Sequence, residues 1–330
     1  MKFLSVAILI TAILFSNQAS ADKNSLRNKS DSYITYSLSN GQVYRIKAKK
    51  GAKPKNISKA LDSIAEGNND NRLNVSPNGK WLVLNSERFE PDCIGWACLS
   101  IVDSKVKSGN AVKVNGDVIH TDGFNVVASS GNLIIYSGDS GPHTRDLWAV
   151  SRKSSKSRWK TPVLLTEDSP YDFNTQPAIS NDGEKVVFDG GDGPYGAPGT
   201  SICEVSTDGS DFKVVITPDD IPAGYVDSGD NALHHPDYVS DGSIIFESSW
   251  NGQQIWKLSP GSEEPVLISV DFPNDNSPCV LNDGRITSLW VDRNGGYSFH
   301  EIKVMNPDGS HYKMVLKNID IFDIGIGCGK

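Results

Sequence analysis

The chain has no apolar run of the roughly twenty residues that a bilayer-spanning helix needs. Its longest, Phe3 to Phe15, stops well short of that length. Three motifs that announce chemistry are also missing. No Gly-x-Ser-x-Gly nucleophile elbow, His-Glu-x-x-His pair or Walker phosphate loop occurs. Their absence removes the most legible routes to a named reaction, although acids and bases gathered from separate strands leave no such trace. Positive charge is scarce: 32 Lys plus Arg stand against 40 Asp plus Glu, for a net charge of −8. An acidic surface repels phosphate backbones, which argues against a nucleic-acid partner.

What is present begins with Lys2, the apolar run and the small-residue triplet Ala19-Ser20-Ala21. That order predicts a cleavable export signal over residues 1–21, followed by one domain over 22–330. No Cys lies near the cleavage site, so a lipid anchor is not expected. The expected location is periplasmic or secreted. Export permits disulfides. Cys93 and Cys98 flank Ile-Gly-Trp-Ala, close enough to staple one loop, and the zinc alternative lacks a second ligand pair nearby. Cys279 and Cys328 can pair if their strands are neighbours, leaving Cys203 over.

Internal repeats decide the fold. A short apolar segment, a tight turn ending in Gly and a β-branched or aromatic run recur around Gly79, Gly131, Gly183, Gly242 and Gly284. The spacings are 52, 52, 59 and 42 residues. Asn-Gly and Asp-Gly supply the positive φ that suits a two-stranded hairpin. A third and often a fourth strand follow each hairpin, as in Ser201 to Val205 and Lys213 to Ile216. Four antiparallel strands at this period are the mark of a propeller blade. At the amino end, Tyr33–Tyr36, Gln42–Ile46 and Pro54–Ser58 read as second, third and fourth strands with no first. Ile319–Gly327 reads as a first strand with nothing after it. Joined, they make a sixth blade and remove the free edges. The predicted fold is an all-β, six-bladed β-propeller closed by its C-terminal strand, with a short helix over Ile57–Ala65.

The repeats Ser76-Pro77-Asn78-Gly79-Lys80, Ser180-Asn181-Asp182-Gly183 and Asn306-Pro307-Asp308-Gly309 resemble the WD40-like (PD40) repeat of the TolB-like propellers. The resemblance implies the same six-bladed fold. It says little of function, because such repeats occur in scaffolds, binding proteins and enzymes alike.

Long segments gather on one side of the expected ring. They are the second-to-third strand loops, Arg88–Trp96, Gly138–Arg145, Gly190–Gly199 and Trp250–Gln253, and the links 167–176 and 217–235. Long loops on a rigid scaffold are where sites collect. The other side has short turns, with the basic turn Arg152–Lys160 as its main exception.

Aligned on the turn glycines, Asn71, Gly123, Thr175, His234 and Asn276 precede the Gly by eight residues. Arg72, Phe124, Gln176, His235 and Ser277 precede it by seven. Both sets should ring the channel mouth. Alternation along a strand allows only one of His234 and His235 to face the channel. A divalent-metal reading joins His235 to Gln176 and His120. The alternative is a hydrogen-bonded imidazole in a wet channel. Trp148, Trp256 and Tyr44 share a third-strand position and are expected to pack blades, whereas Trp96, Tyr195 and Trp250 sit on loops where a ring can stack on a sugar or a partner.

Two functions follow. One is a non-catalytic binding or scaffold protein whose looped face, including Gln176, His235, Asn71, Asn276, Trp96, Tyr195 and Trp250, docks an envelope or extracellular protein or an acidic polysaccharide. The other is a uronate polysaccharide lyase using His235 or His234, with Arg72 or Arg145 neutralising a carboxylate and Tyr195 nearby. The sequence does not choose between catalysis and binding.

Overall fold

A computed structural model describes residues 32–328 apart from 68, 94–97, 122, 195–196, 228–230, 270–273 and 292–299. The expected export signal, Trp96 and Tyr195 therefore lie outside the described residues.

Six four-stranded antiparallel sheets form the blades. Blade 1 joins Ile321–Gly327 to Tyr33–Leu38, Gln42–Lys47 and Lys55–Asn56. Blade 2 is Asn71–Val75, Trp81–Asn85, Leu99–Asp103 and Gly109–Ala111. Blade 3 is Asn125–Val127, Leu133–Gly138, Asp146–Ser151 and Val163–Leu164. Blade 4 runs through Phe173–Ile179, Lys185–Gly191, Ser201–Ser206 and Lys213–Ile216. Blade 5 holds Leu233–Tyr238, Ile244–Ser248, Gln254–Leu258 and Val266–Leu267. Blade 6 consists of Asp275–Val280, Ile286–Val291, His300–Met305 and Lys313–Ile319.

The turn glycines do what their chemistry requires, with φ between 67° at Gly79 and 84° at Gly242 and Gly284. The repeat motif is a self-latching hairpin. Ser76 Oγ donates to Asn78 Oδ1 at 2.9 Å, while Lys80 N–H donates to that oxygen and Trp81 N–H to Ser76 Oγ. Ser180 and Asp182 repeat the arrangement in blade 4. The Asn78 amide reaches further and donates to Ser129 O in the turn of blade 3 at 2.6 Å, so the motif latches its own turn and ties it to the next blade. The third match, Asn306–Gly309, belongs instead to the third-to-fourth strand turn of blade 6.

Closure follows the expected split, with one adjustment. The chain breaks at Asp320, so Ile319 ends the outer strand of blade 6 and the closing strand begins at Ile321. That strand pairs antiparallel with Tyr33–Leu38, and Thr35 Oγ1 donates to Gly327 O at 3.0 Å. Cys93–Cys98 forms as its spacing indicated, Cys279–Cys328 forms because the closing strand lies beside blade 6, and Cys203 is a buried free thiol. The helix is shorter than predicted, Ile57–Leu61; Arg88 binds the turn beyond it, reaching Asp62 Oδ1 at 2.6 Å and Ala65 O at 3.1 Å.

Apolar faces of successive blades meet to form the core. Val187, Phe246 and Trp256 fill the space between blades 4 and 5, and Ile34, Tyr36, Leu289 and Ile302 that between blades 6 and 1. Each such side chain stabilises the ring by about 1.5–3 kcal/mol. Tyr44, stacked on Tyr36, and Trp148 and Trp256 are blade packing as expected. No described helix is long and apolar enough to cross a membrane.

Candidate functional site

The channel lining begins with a backbone irregularity. Arg72, Gln176, His235 and Ser277, the residues seven before their turn glycines, have φ of 51°, 53°, 51° and 47°. The strand pairing slips at each of them. In three blades the cause is in the sequence: Pro177, Pro236 and Pro278 follow directly, and a proline inside a strand cannot donate to the ladder, so the strand bulges. Pro236 thus shapes the interior of its strand rather than its entry.

A left-handed residue other than Gly costs about 1–3 kcal/mol and persists only where its surroundings hold it. Here the neighbouring blade supplies the hold. His235 N–H donates to Gln176 Oε1 at 3.0 Å, and Ser277 N–H to Glu247 Oε2 at 2.9 Å. Arg72 N–H is met by the side chain before it, Asn71 Oδ1, at 2.7 Å. One step deeper, Asp237 Oδ2 accepts Val280 N–H at 2.6 Å. Blades 4, 5 and 6 are therefore stitched together around the channel by polar side chains that accept backbone N–H groups of the next blade.

The two histidines take different partners at this bulge, with their ring centroids 6.3 Å apart. His235 lines the channel, with Nδ1 3.3 Å from Glu247 Oε2 and Nε2 3.4 Å from Ser277 Oγ. His234 turns toward blade 4, its Nδ1 3.3 Å from Asp189 Oδ2. Burial pushes the Asp189 carboxyl up, against the opposing pull of His234. Burial also acts to raise Glu247, but the His235 hydrogen bond, both imidazoles and Ser277 N–H outweigh it and hold that carboxyl below its usual range. Across the channel, the Arg72 guanidinium lies 3.9 Å from the Phe124 ring centroid, and Phe124 presents its edge to His235 at 6.2 Å.

Glu247 and Asp189 are the residues that the repeat alignment passed over in forming this site. Their signal was a carboxylate directly after the aromatic residue of a second strand, in Phe188-Asp189 and Phe246-Glu247. Of the predicted site residues, Arg72, Gln176 and His235 come together on the channel wall. Asn71 borders the second cavity though almost fully buried, at 3% exposure, and Asn276 is buried at 1%. Arg145 stands apart, its backbone bridging to Asp172 and Asn174 on the looped face.

Two expectations change. Trp250 does not present its ring to a ligand: it is 0% exposed, donates Nε1–H to Pro218 O at 2.8 Å and packs edge-on against Phe246 and Trp256. Its loop folds inward because burying an indole with its N–H satisfied is worth more than leaving it in water. The channel, in turn, is narrow. Its larger cavity holds about 60 Å³ and its second about 30 Å³, space for a few waters.

For a metal, the three proposed ligands are each engaged elsewhere. Gln176 Oε1 accepts His235 N–H, His235 faces Glu247 and Ser277, and His120 sits exposed with Nδ1 3.9 Å from Cys98 Sγ. Among the described residues the one cluster with ligand-like spacing is Asp237, Cys279 and Cys328. Its two sulfurs are joined in a disulfide and offer no thiolate.

No protein-family model matches the chain, and no curated protein matches it by sequence. Solved structures do. A putative TolB from Agrobacterium tumefaciens superposes with TM-score 0.59 at 16% identity, covering 88% of this chain and 90% of that one. TolB from Acinetobacter baumannii gives 0.59 at 12%, covering 88% of this chain and 65% of that one. An oligogalacturonate lyase from Vibrio parahaemolyticus gives 0.51 at 14%, with 86% and 79% covered. At such identities the likeness is one of fold. Six blades, latched hairpins and a C-terminal strand completing the first blade make this fold that of the TolB-like six-bladed β-propellers.

Proposed function

We propose that this chain is an exported binding protein whose looped face docks an envelope or extracellular protein, without chemistry of its own. The observation that carries this reading is the link after blade 4. It raises Ile221, Tyr225 and Val226 into solvent, with Val226 72% exposed. From beneath, the link is buttressed by Trp250 through Pro218 O and by Trp256, whose ring Tyr225 meets edge-on at 4.9 Å. A rigid platform that holds apolar side chains out of the core has the anatomy of a contact surface. The paired histidines fit a structural role, because each sits beside a buried carboxylate, and two disulfides fit an oxidising compartment.

A photo-crosslinking amino acid placed at Val226 in cells tests this. A discrete adduct at that position, absent when the crosslinker stands at Val163 on the outer strand of blade 3, is the expected result. Equal labelling at both positions, or none at either, overturns the reading.

The uronate lyase reading has one observation in its favour, that Arg72 and His235 open onto the same channel through Phe124. Ultraviolet absorbance of unsaturated product from uronate polysaccharides, lost in His235→Ala, would establish it in place of the first.

A further inference from the structure

We propose that the cleft between blades 2 and 3, on the outer rim of the ring, binds an acidic oligosaccharide. The cleft holds about 800 Å³, within the range of ligand sites of about 300–1,000 Å³ and far larger than the channel. Blade 2 lines it with Phe89 from its second-to-third strand loop, Asn110 from its outer strand and Lys113 just beyond. Blade 3 lines it with Arg152, Arg158 and Trp159 from its third-to-fourth strand turn.

Charge decides the sign of the ligand. The turn 152–160 carries Arg152, Lys153, Lys156, Arg158 and Lys160 and no acid, in a chain of net charge −8. Within the cleft these cations are not equivalent. Lys113 is paired with Glu90, and Arg152 donates to Gly131 O while stacking 4.3 Å from the Trp159 ring centroid. Arg158 is exposed and makes no ion pair with another described residue. Its guanidinium is free to take a carboxylate or sulfate through two parallel hydrogen bonds.

Shape decides between a sugar and an acidic peptide. An extended peptide binds a sheet edge by continuing its ladder, but the outer strand of blade 2 spans only Gly109–Ala111. Beyond it the backbone is already occupied: Val112 N–H donates to Leu99 O, and Val112 O accepts Ile119 N–H. The hairpin of Lys113–Val114 with Asp117–Val118 caps that edge. What remains is the Phe89 ring, the Trp159 ring with Arg152 over one face, an amide at Asn110 and the free guanidinium of Arg158. Those groups match the apolar face, the hydroxyls and the acid groups of a charged sugar.

Calorimetric titration of the full chain with a hexauronate, a sulfated hexasaccharide, a neutral hexaglucan and hexaglutamate tests this. Saturable binding of at least one acidic sugar is expected, about tenfold weakened by Arg158→Gln, the loss of one charge-assisted contact. Trp159→Phe should keep the binding and Trp159→Ala lose it, while hydrogen-exchange protection on binding should fall on residues 109–118. Val226→Asp should leave the affinity unchanged, so failure of the docking surface and failure of this site are distinguishable. Equal binding of hexaglutamate, an unaltered affinity in Arg158→Gln, or no binding by either acidic sugar overturns the proposal.

Discussion

Cys328 is disulfide-bonded to Cys279 with 6.0 Å between their Cα atoms, so the chain end that completes blade 1 is covalently tied to the innermost strand of blade 6. The ring is thus closed twice, by strand pairing and by a bond to the neighbouring blade. A crosslink of sequence separation 49 stabilises mainly by restricting the unfolded chain, here by about 4 kcal/mol.

Replacing both cysteines by Ser should therefore lower the urea midpoint yet leave a folded ring. Truncation from Ile321 should go further and leave a protease-sensitive, aggregating chain, because it exposes the edge of Tyr33–Leu38. A truncated protein that stays soluble and melts cooperatively would show that the closing strand is dispensable.

Glu247 holds together what the bulges of blades 5 and 6 release. It accepts Ser277 N–H, faces His235 and takes the Gln253 amide. Glu247→Ala should cost about 3–5 kcal/mol, the loss on removing one partner of a buried pair. Glu247→Gln, which keeps one acceptor for Ser277, should cost less. Equilibrium denaturation of the two variants gives the comparison, and equal losses would deny the N–H contact its role.

Asp275 shapes the pH dependence. Burial pushes its carboxyl up to about 7, against the Tyr312 hydrogen bond and the charge of Lys303, whose Nζ is 3.8 Å away. A carboxyl whose folded pKa is raised holds its proton more tightly when folded. Its contribution is therefore full below the unfolded value near 4 and is lost as pH rises through about 7. Glu247 acts in the opposite sense, its stabilisation present above the usual carboxylate range and lost as pH falls. Stability of Asp275→Asn, followed by denaturation at several pH values, should decline less between weakly acidic and neutral pH than that of the parent. An unchanged slope would mean that another group sets it.

Trp250 should behave as a buttress. Trp250→Phe keeps a ring in the core but removes the N–H bound to Pro218 O, so a loss of about 1 kcal/mol is expected. Faster hydrogen exchange should be confined to the link 217–227. If that link is unaffected, the platform under Val226 is held by other contacts.

The hairpin tips, the blade period and the split blade were legible in the sequence because each rests on local chemistry. Gly after Asn or Asp sets a turn, Ser three residues before that Gly latches it, and alternation sets a strand. The pairings Cys93–Cys98 and Cys279–Cys328 followed once the blades were placed in order. The bulges were half-legible: Pro177, Pro236 and Pro278 stood in strands where a proline cannot continue the ladder. Arg72 bulges without one, and nothing in its own segment announces it.

The sequence by itself determined a six-bladed ring and which residues stand at equivalent places in it. Only the tertiary structure decided what those places are worth. Trp250 reads as an exposed loop residue until the link folds over it, and Glu247 reads as a strand residue until Ser277 of the next blade offers its N–H. The width of the channel appears only when six blades meet, and the cleft at Arg158 is formed by segments from two of them. Turns are set by neighbours in the chain, but burial, cavity width and carboxylate pairing are set by which blades meet, and that depends on the closed ring as a whole.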